Sequence, residues 1–145
     1  MRGASCGAPV RFSGRGPGTA IARVLADHDC RLGLEFIGPK TYRDRFRYPF
    51  IHTLGGMMSL ARDIGTGNVG LLLDAWHLYT SGGSLEDLDD ITAQDVVTVH
   101  VNDAPEGIPL EEQVDNVRGL PMAVSYTHLR AHETVLDLVC RLLLE

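Results

Sequence analysis

Three short segments that are apolar on both faces, RLGLEF, NVGLLLD and VVTVHVND, constrain this chain more than any other feature of it. A strand that alternates apolar and polar residues can leave one face in water. A strand apolar throughout must be covered on both faces, and a parallel sheet under helices does this. The segments between the strands have helical spacing. TAIARVLADHDC places Ile21, Val24, Leu25 and His28 on one helical face with Thr19 as N-cap. PFIHTLGGMMSLARDIG does the same through Leu54, Met57, Met58 and Leu60, with Gly65 as the stop. SLEDLDDITAQ carries Ser84 and Asp87 at cap-box spacing and predicts a short helix and a turn, and IPLEEQVDNVRGL predicts an exposed polar loop or helix. The expected fold class is α/β, with parallel strands alternating with helices.

Composition narrows the function classes. With 145 residues, 44% hydrophobic and 22% charged, the chain can bury a core, and disorder is not expected. No apolar run reaches the roughly 18–20 residues of a membrane helix. The net charge of −6 argues against a protein that grips a phosphate backbone. Cys6, Cys30 and Cys140 are odd in number and widely spaced, which fits a reducing compartment, so a cytoplasmic location is expected and Cys30 is read as a small buried apolar residue. Residues 1–18, rich in Gly, Pro, Ser and Arg, are read as a disordered or truncated leader.

The chemistry sits at the strand ends. Glu35, Asp74 and His100 each lie at or near the C-terminal end of one apolar strand. An ionised group there costs several kcal/mol of desolvation unless something compensates it. A divalent cation compensates carboxylates and imidazole together. In a parallel β/α barrel all such ends open on one mouth, so residues far apart in sequence meet. Other readings stand beside this one: Glu35 paired with Arg43 or Arg47, Asp74 capping the helix after its strand, and His100 as a satisfied core histidine.

LGLEFIGP, LLLDAWHLY and VHVNDAP resemble the corresponding segments of the sugar isomerase/epimerase superfamily with the xylose isomerase-like TIM barrel. The resemblance implies that residues 19–121 form a partial (β/α)8 barrel, about half of one. It implies a divalent ion, Mn2+ or Mg2+ with Co2+ or Zn2+ as alternatives, held by Glu35, Asp74 and His100. Glu35 would also be catalytic, moving a proton beside a carbonyl through an enediolate. His77, Trp76, Asn102 and Asp103 would contact the substrate, a sugar or sugar phosphate, with Tyr79 an alternative pocket wall. The family's second glutamate has no matching position. The chain as written is therefore expected to be inactive, and the resemblance implies a longer parent, homo-oligomeric in one reading, as the isomerase or epimerase of carbohydrate metabolism.

Residues 122–145 resemble a translated sequencing-adapter run and are expected to be non-native, helical if ordered. The other reading is a genuine helix with an apolar face of Leu129, Leu136, Val139 and Leu143. His128, His132 and Glu133 do not follow a zinc-protease order and receive no function. Two further classes remain beside the isomerase: a non-catalytic sugar- or metal-binding barrel, and a metal-dependent endonuclease of the same superfamily, which the acidic charge disfavours.

Overall fold

Helix α1 (Pro17–Ala26) leads into strand β1 (Leu32–Leu34), and helices α2 (Lys40–Arg43) and α3 (Leu54–Ile64) carry the chain to β2 (Val69–Asp74). Helix α4 (Ala75–Thr80) follows without a loop, and two 3₁₀ turns precede β3 (Val96–His100). The computed structural model describes residues 16–84 and 86–119. The strands form one parallel sheet in the order β1-β2-β3. Three parallel strands alternating with helices are what the apolar strands predict, and they match the part of a TIM barrel that the resemblance implies. The expected leader, apart from its last three residues, and the adapter-like tail lie outside the described residues.

Local chemistry sets the element boundaries. Helix α3 begins where the Thr53 side chain accepts the Gly56 N–H, and it ends at Gly65, whose φ of 66° suits a residue without Cβ. Its Met57, Met58 and Leu54 pack with Phe36, Leu71 and Leu73 in the core. Strand β2 is the central strand and the most buried, because it has a neighbour on each side and α3 packed against it. Gly70 in it lets the Asp95 carbonyl approach, since a Cβ there would lie 2.4 Å from that oxygen.

Several expectations are corrected. Helix α1 starts at Pro17, with Gly16 as N-cap, and Thr19 is buried in its first turn rather than capping it. Proline's preset φ favours the first helical position, and this overrides the threonine signal. Ile21 and Val24 are 53% and 60% exposed, because α1 meets the rest of the described structure through Thr19 and Ala22 instead. Cys30 is exposed, its Sγ donating to the His28 carbonyl, and not a buried apolar residue. Strand β3, expected to be covered on both faces, exposes Thr98 and His100, since among the described residues it pairs only with β2. The segment after Ser84 forms 3₁₀ turns at Glu86–Leu88 and Ala93–Asp95, the second closed by a Thr92–Asp95 capping box.

Candidate active site

Asp74 ends β2 and starts α4, and its two carboxylate oxygens do different work. Oδ1 accepts the backbone N–H groups of Trp76 at 2.8 Å and His77 at 3.3 Å, so the capping reading of this residue is realised. Oδ2 faces the C-terminal end of the sheet, with Arg118 Nη1 at 2.8 Å, Asn102 Nδ2 at 3.5 Å and His100 Nδ1 at 4.0 Å. Asp74 itself is 1% exposed. Register places His100 directly beside it, because Asp74 and His100 are Cα partners in the β2–β3 ladder.

Glu35 follows β1, and the first turn of α4 brings His77 Nε2 to 3.8 Å from its Oε1. Glu35, Asp74 and His77 each offer a ligand atom within 4.8 Å of the others'. Two carboxylates and an imidazole are a donor set that suits a divalent cation. His100 is half-exposed at the margin of this group, and among the described residues no ion pair joins Glu35 to Arg43 or Arg47.

The histidines are not equivalent. The Gly38 backbone N–H donates to His77 Nδ1 at 3.2 Å. A backbone N–H can only donate, so this contact favours the neutral ring with its proton on Nε2, the nitrogen that faces the carboxylates, whereas the Arg118 guanidinium 3.1 Å from Nε2 favours the proton on Nδ1. With the proton on Nε2 that nitrogen has no lone pair for a metal, yet it can donate to an oxygen. Burial also pushes the His77 pKa down, with the Asp74 charge working the other way, which keeps the ring neutral near pH 7. Gly38 makes this contact feasible: a Cβ there would lie 2.2 Å from the His77 carbonyl oxygen.

Arg118 is the functional residue that sequence reasoning missed. Its Nη2 lies 3.1 Å from His77 Nε2 and also pairs with Asp115, while its Cζ sits 4.4 Å from the centre of the Trp76 ring. The segment that carries it is tied down at both ends. Thr41 Oγ1 donates to the Gln113 carbonyl at 2.6 Å, and Asp103 and Gly119 exchange both backbone hydrogen bonds. Burial opposes the Arg118 charge, but the Asp115 hydrogen bond and the Asp74 charge outweigh it and push its pKa up. One signal was available in the sequence: Arg118 is the sole Lys or Arg between Arg62 and Arg130, in a stretch that contains the Asp74 carboxylate.

The remaining predicted residues fall around this centre. Trp76 is buried beneath Arg118 and meets the His77 ring edge-on, with centroids 5.4 Å apart. Asp103 is buried in the segment that leads to Arg118, its Oδ1 accepting the Ala104 N–H. Tyr79 is half-buried on α4. A cleft of about 250 Å3 between α2 and the Val114–Asn116 segment opens beside the centre, with Asp115 common to both.

Burial and then the Asp74 charge raise the Glu35 pKa, with His100 and Arg118 pulling it down. A carboxyl whose folded-state pKa is raised favours folding when protonated, and that contribution is lost as pH rises from the unfolded value through the folded one. Glu35→Gln is therefore expected to stabilise the chain at pH 7, by about 0.5 kcal/mol once solvent screening of this partly exposed group is allowed for. Thermal melts at pH 7 and pH 4 check it: the gain should shrink at the lower pH, and a pH-independent gain would point to some other cause.

A parallel sheet under helices, with carboxylates and histidines gathered at its C-terminal end, matches part of a TIM barrel. No family model matches the chain. It is similar to the inosose isomerase of Halalkalibacterium halodurans, 24% identical over 103 residues that make up 71% of this chain and 34% of that protein. Among solved structures it is similar to a xylose isomerase domain protein from Alicyclobacillus acidocaldarius, with a TM-score of 0.66 and 36% identity over 72% of this chain and 37% of the other. The IolI protein, solved with a zinc atom, matches with a TM-score of 0.65 and 22% identity over 83% of this chain and 40% of the other. The chain thus spans about a third of the length of the curated relative it matches. These relatives support a sugar isomerase/epimerase family. No helix among the described residues is long and apolar enough to cross a membrane.

Proposed function

We propose that this chain carries part of the active site of a divalent-metal-dependent isomerase or epimerase acting on a sugar or sugar phosphate. The observation that carries the reading is the gathering of Glu35 and Asp74 at the end of a parallel sheet, with His100 the ladder partner of Asp74 and His77 within reach of both carboxylates. Glu35, Asp74 and His100 would hold the ion, with His77 in the Nε2–H form that the Gly38 contact favours. When bound, the ion supplies positive charge that favours negative charge on a substrate carbonyl oxygen.

The chain's own residues supply the rest. Glu35 takes a proton from the carbon beside the carbonyl. His77 Nε2–H donates to a substrate oxygen and orients it. Asn102 Nδ2 adds a second donor, and Trp76 walls the site. Asp103 contributes by holding the Arg118 segment in place. The substrate would enter by the cleft that Asp115 lines. A cytoplasmic location and a homo-oligomeric whole protein belong to the same reading.

Mn2+ titration by calorimetry separates the two histidines. His100→Ala is expected to weaken binding by about tenfold or more, and His77→Gln by much less. Loss of binding in the His77 variant alone would make that residue the ligand and overturn the tautomer argument. Proton exchange at the substrate carbon, followed in D2O, is expected to be slow but measurable in the 145-residue chain, because Glu35 is present and no second glutamate matches its place. Turnover at an ordinary enzymatic rate would refute this. A non-catalytic binding module would bind metal or sugar with no exchange under any condition, and duplex DNA binding that weakens steeply with salt would favour the endonuclease.

A further inference from the structure

The Arg118 guanidinium sits where the site's negative charge is concentrated. Its Nη1 holds Asp74 Oδ2 at 2.8 Å, and the other oxygen of that carboxylate is committed to the N-terminus of α4. Asp74 therefore has one oxygen to offer, and Arg118 has it. A divalent ion on the same oxygen would place two and one positive charges within a few ångströms of each other, so the two cations compete for that oxygen even with Glu35 and Asp115 nearby.

Two further features make the guanidinium removable. Its Nε donates to the Asp115 backbone carbonyl at 2.9 Å and Nη2 pairs with the Asp115 carboxylate, so it keeps a counter-ion when it leaves Asp74. Its contact with His77 is also poorly matched. The Gly38 N–H and the guanidinium both only donate and face opposite nitrogens of one ring, at 3.2 and 3.1 Å, and a neutral imidazole has a lone pair for one of them. Departure of Arg118 relieves that conflict and leaves the His77 proton facing Glu35.

We propose that Arg118 is a resident counter-ion that a divalent cation must displace from Asp74, the guanidinium keeping Asp115 as its partner and uncovering the Trp76 ring as the cation binds. This rests on the metal reading above and adds to it a competition within the chain. Metal affinity is held down by Arg118, and occupancy by metal exposes an aromatic face beside the site.

Trp76 is the chain's single tryptophan, and Arg118 stacks on it, so its emission reports where the guanidinium is. The test is a Zn2+ titration of the 145-residue chain, read by calorimetry and by Trp76 emission, with Asp74→Asn identifying the binding step that belongs to this site. In the unsubstituted chain Zn2+ is expected to shift the emission in step with binding. Arg118→Gln should bind Zn2+ about tenfold tighter, with its emission already shifted and no longer responding. Arg118→Lys keeps the charge and the fold's counter-ion, and should stay within about threefold of the unsubstituted chain. Equal Zn2+ affinity in the unsubstituted and Gln chains, with unmoved Trp76 emission, would overturn the displacement and leave the metal reading standing. Absence of an Asp74-dependent binding step in every chain would overturn the metal reading, and the displacement with it.

Discussion

Asp74→Ala is expected to cost about 3 kcal/mol of stability and to abolish the divalent-cation step entirely. The carboxylate is 1% exposed, caps two backbone N–H groups of α4 and pairs with the part-buried Arg118. Losing an N-cap costs about 1 kcal/mol. Leaving a buried charge without its partner costs about 3–5 kcal/mol, less here because Asp115 still pairs with Arg118. Relief of the Glu35–Asp74 repulsion offsets a further part. Asp74→Asn keeps an oxygen for the cap, so it should recover about 1 kcal/mol of the loss while recovering none of the metal binding. Urea unfolding of the two variants checks the division. Equal midpoints for Ala and Asn would mean that the cap contributes nothing and that Asp74 acts through charge alone.

The second large effect is expected at a residue with no side chain. Gly38→Ala puts a Cβ 2.2 Å from the His77 carbonyl oxygen, 2.5 Å from Thr80 Oγ1 and 2.9 Å from the His77 carbonyl carbon. Two of these atoms belong to the backbone of α4 and cannot rotate away, so the chain after β1 must shift. The cost should reach about 3 kcal/mol, the upper end for overpacking. The shift also withdraws the N–H that faces His77 Nδ1 and leaves the Arg118 contact at Nε2, so the ring should move toward the tautomer protonated on Nδ1, which nitrogen NMR of the imidazole detects directly. Gly55→Ala is the control. Nothing lies within 4 Å of a Cβ there, and alanine in the helix should add roughly 0.5 kcal/mol. Were the two alanine variants equally stable, the close approach of Gly38 to α4 could not be what fixes the β1–α4 geometry.

These effects trace back to what is written locally in the chain. Doubly apolar segments ending in Glu35, Asp74 and His100 dictate a parallel sheet with ionisable groups at one end, because side-chain burial along a strand is a nearest-neighbour pattern. The helix boundary at Gly65 and the capping potential of Asp74 are local as well. The resemblance carried by LGLEFIGP, LLLDAWHLY and VHVNDAP agrees with the fold the chain adopts. Helix α4 was less visible, since six residues are too few to show a helical period.

Other features depend on contacts that no local pattern encodes. Strand β3 is half-exposed because of its place at the side of the described sheet, although its composition is that of a buried strand. Ile21 and Val24 keep a helical apolar spacing yet face outward, because packing selected the Thr19–Ala22 side of α1. The two nitrogens of His77 are met by a backbone N–H of Gly38, 39 positions earlier, and by the guanidinium of Arg118, 41 positions later. Arg118 reaches Asp74 across 44 positions, through a polar segment held by Thr41 and the Asp103–Gly119 bridge. The sequence by itself therefore determined the layers of the fold and which ionisable groups stand at the strand ends, since both follow from short-range periodicity. Only the tertiary structure decided which nitrogen of His77 faces the carboxylates and which cation neutralises Asp74, because hydrogen bonds and charge pairing act between groups that folding, and not chain order, brings together.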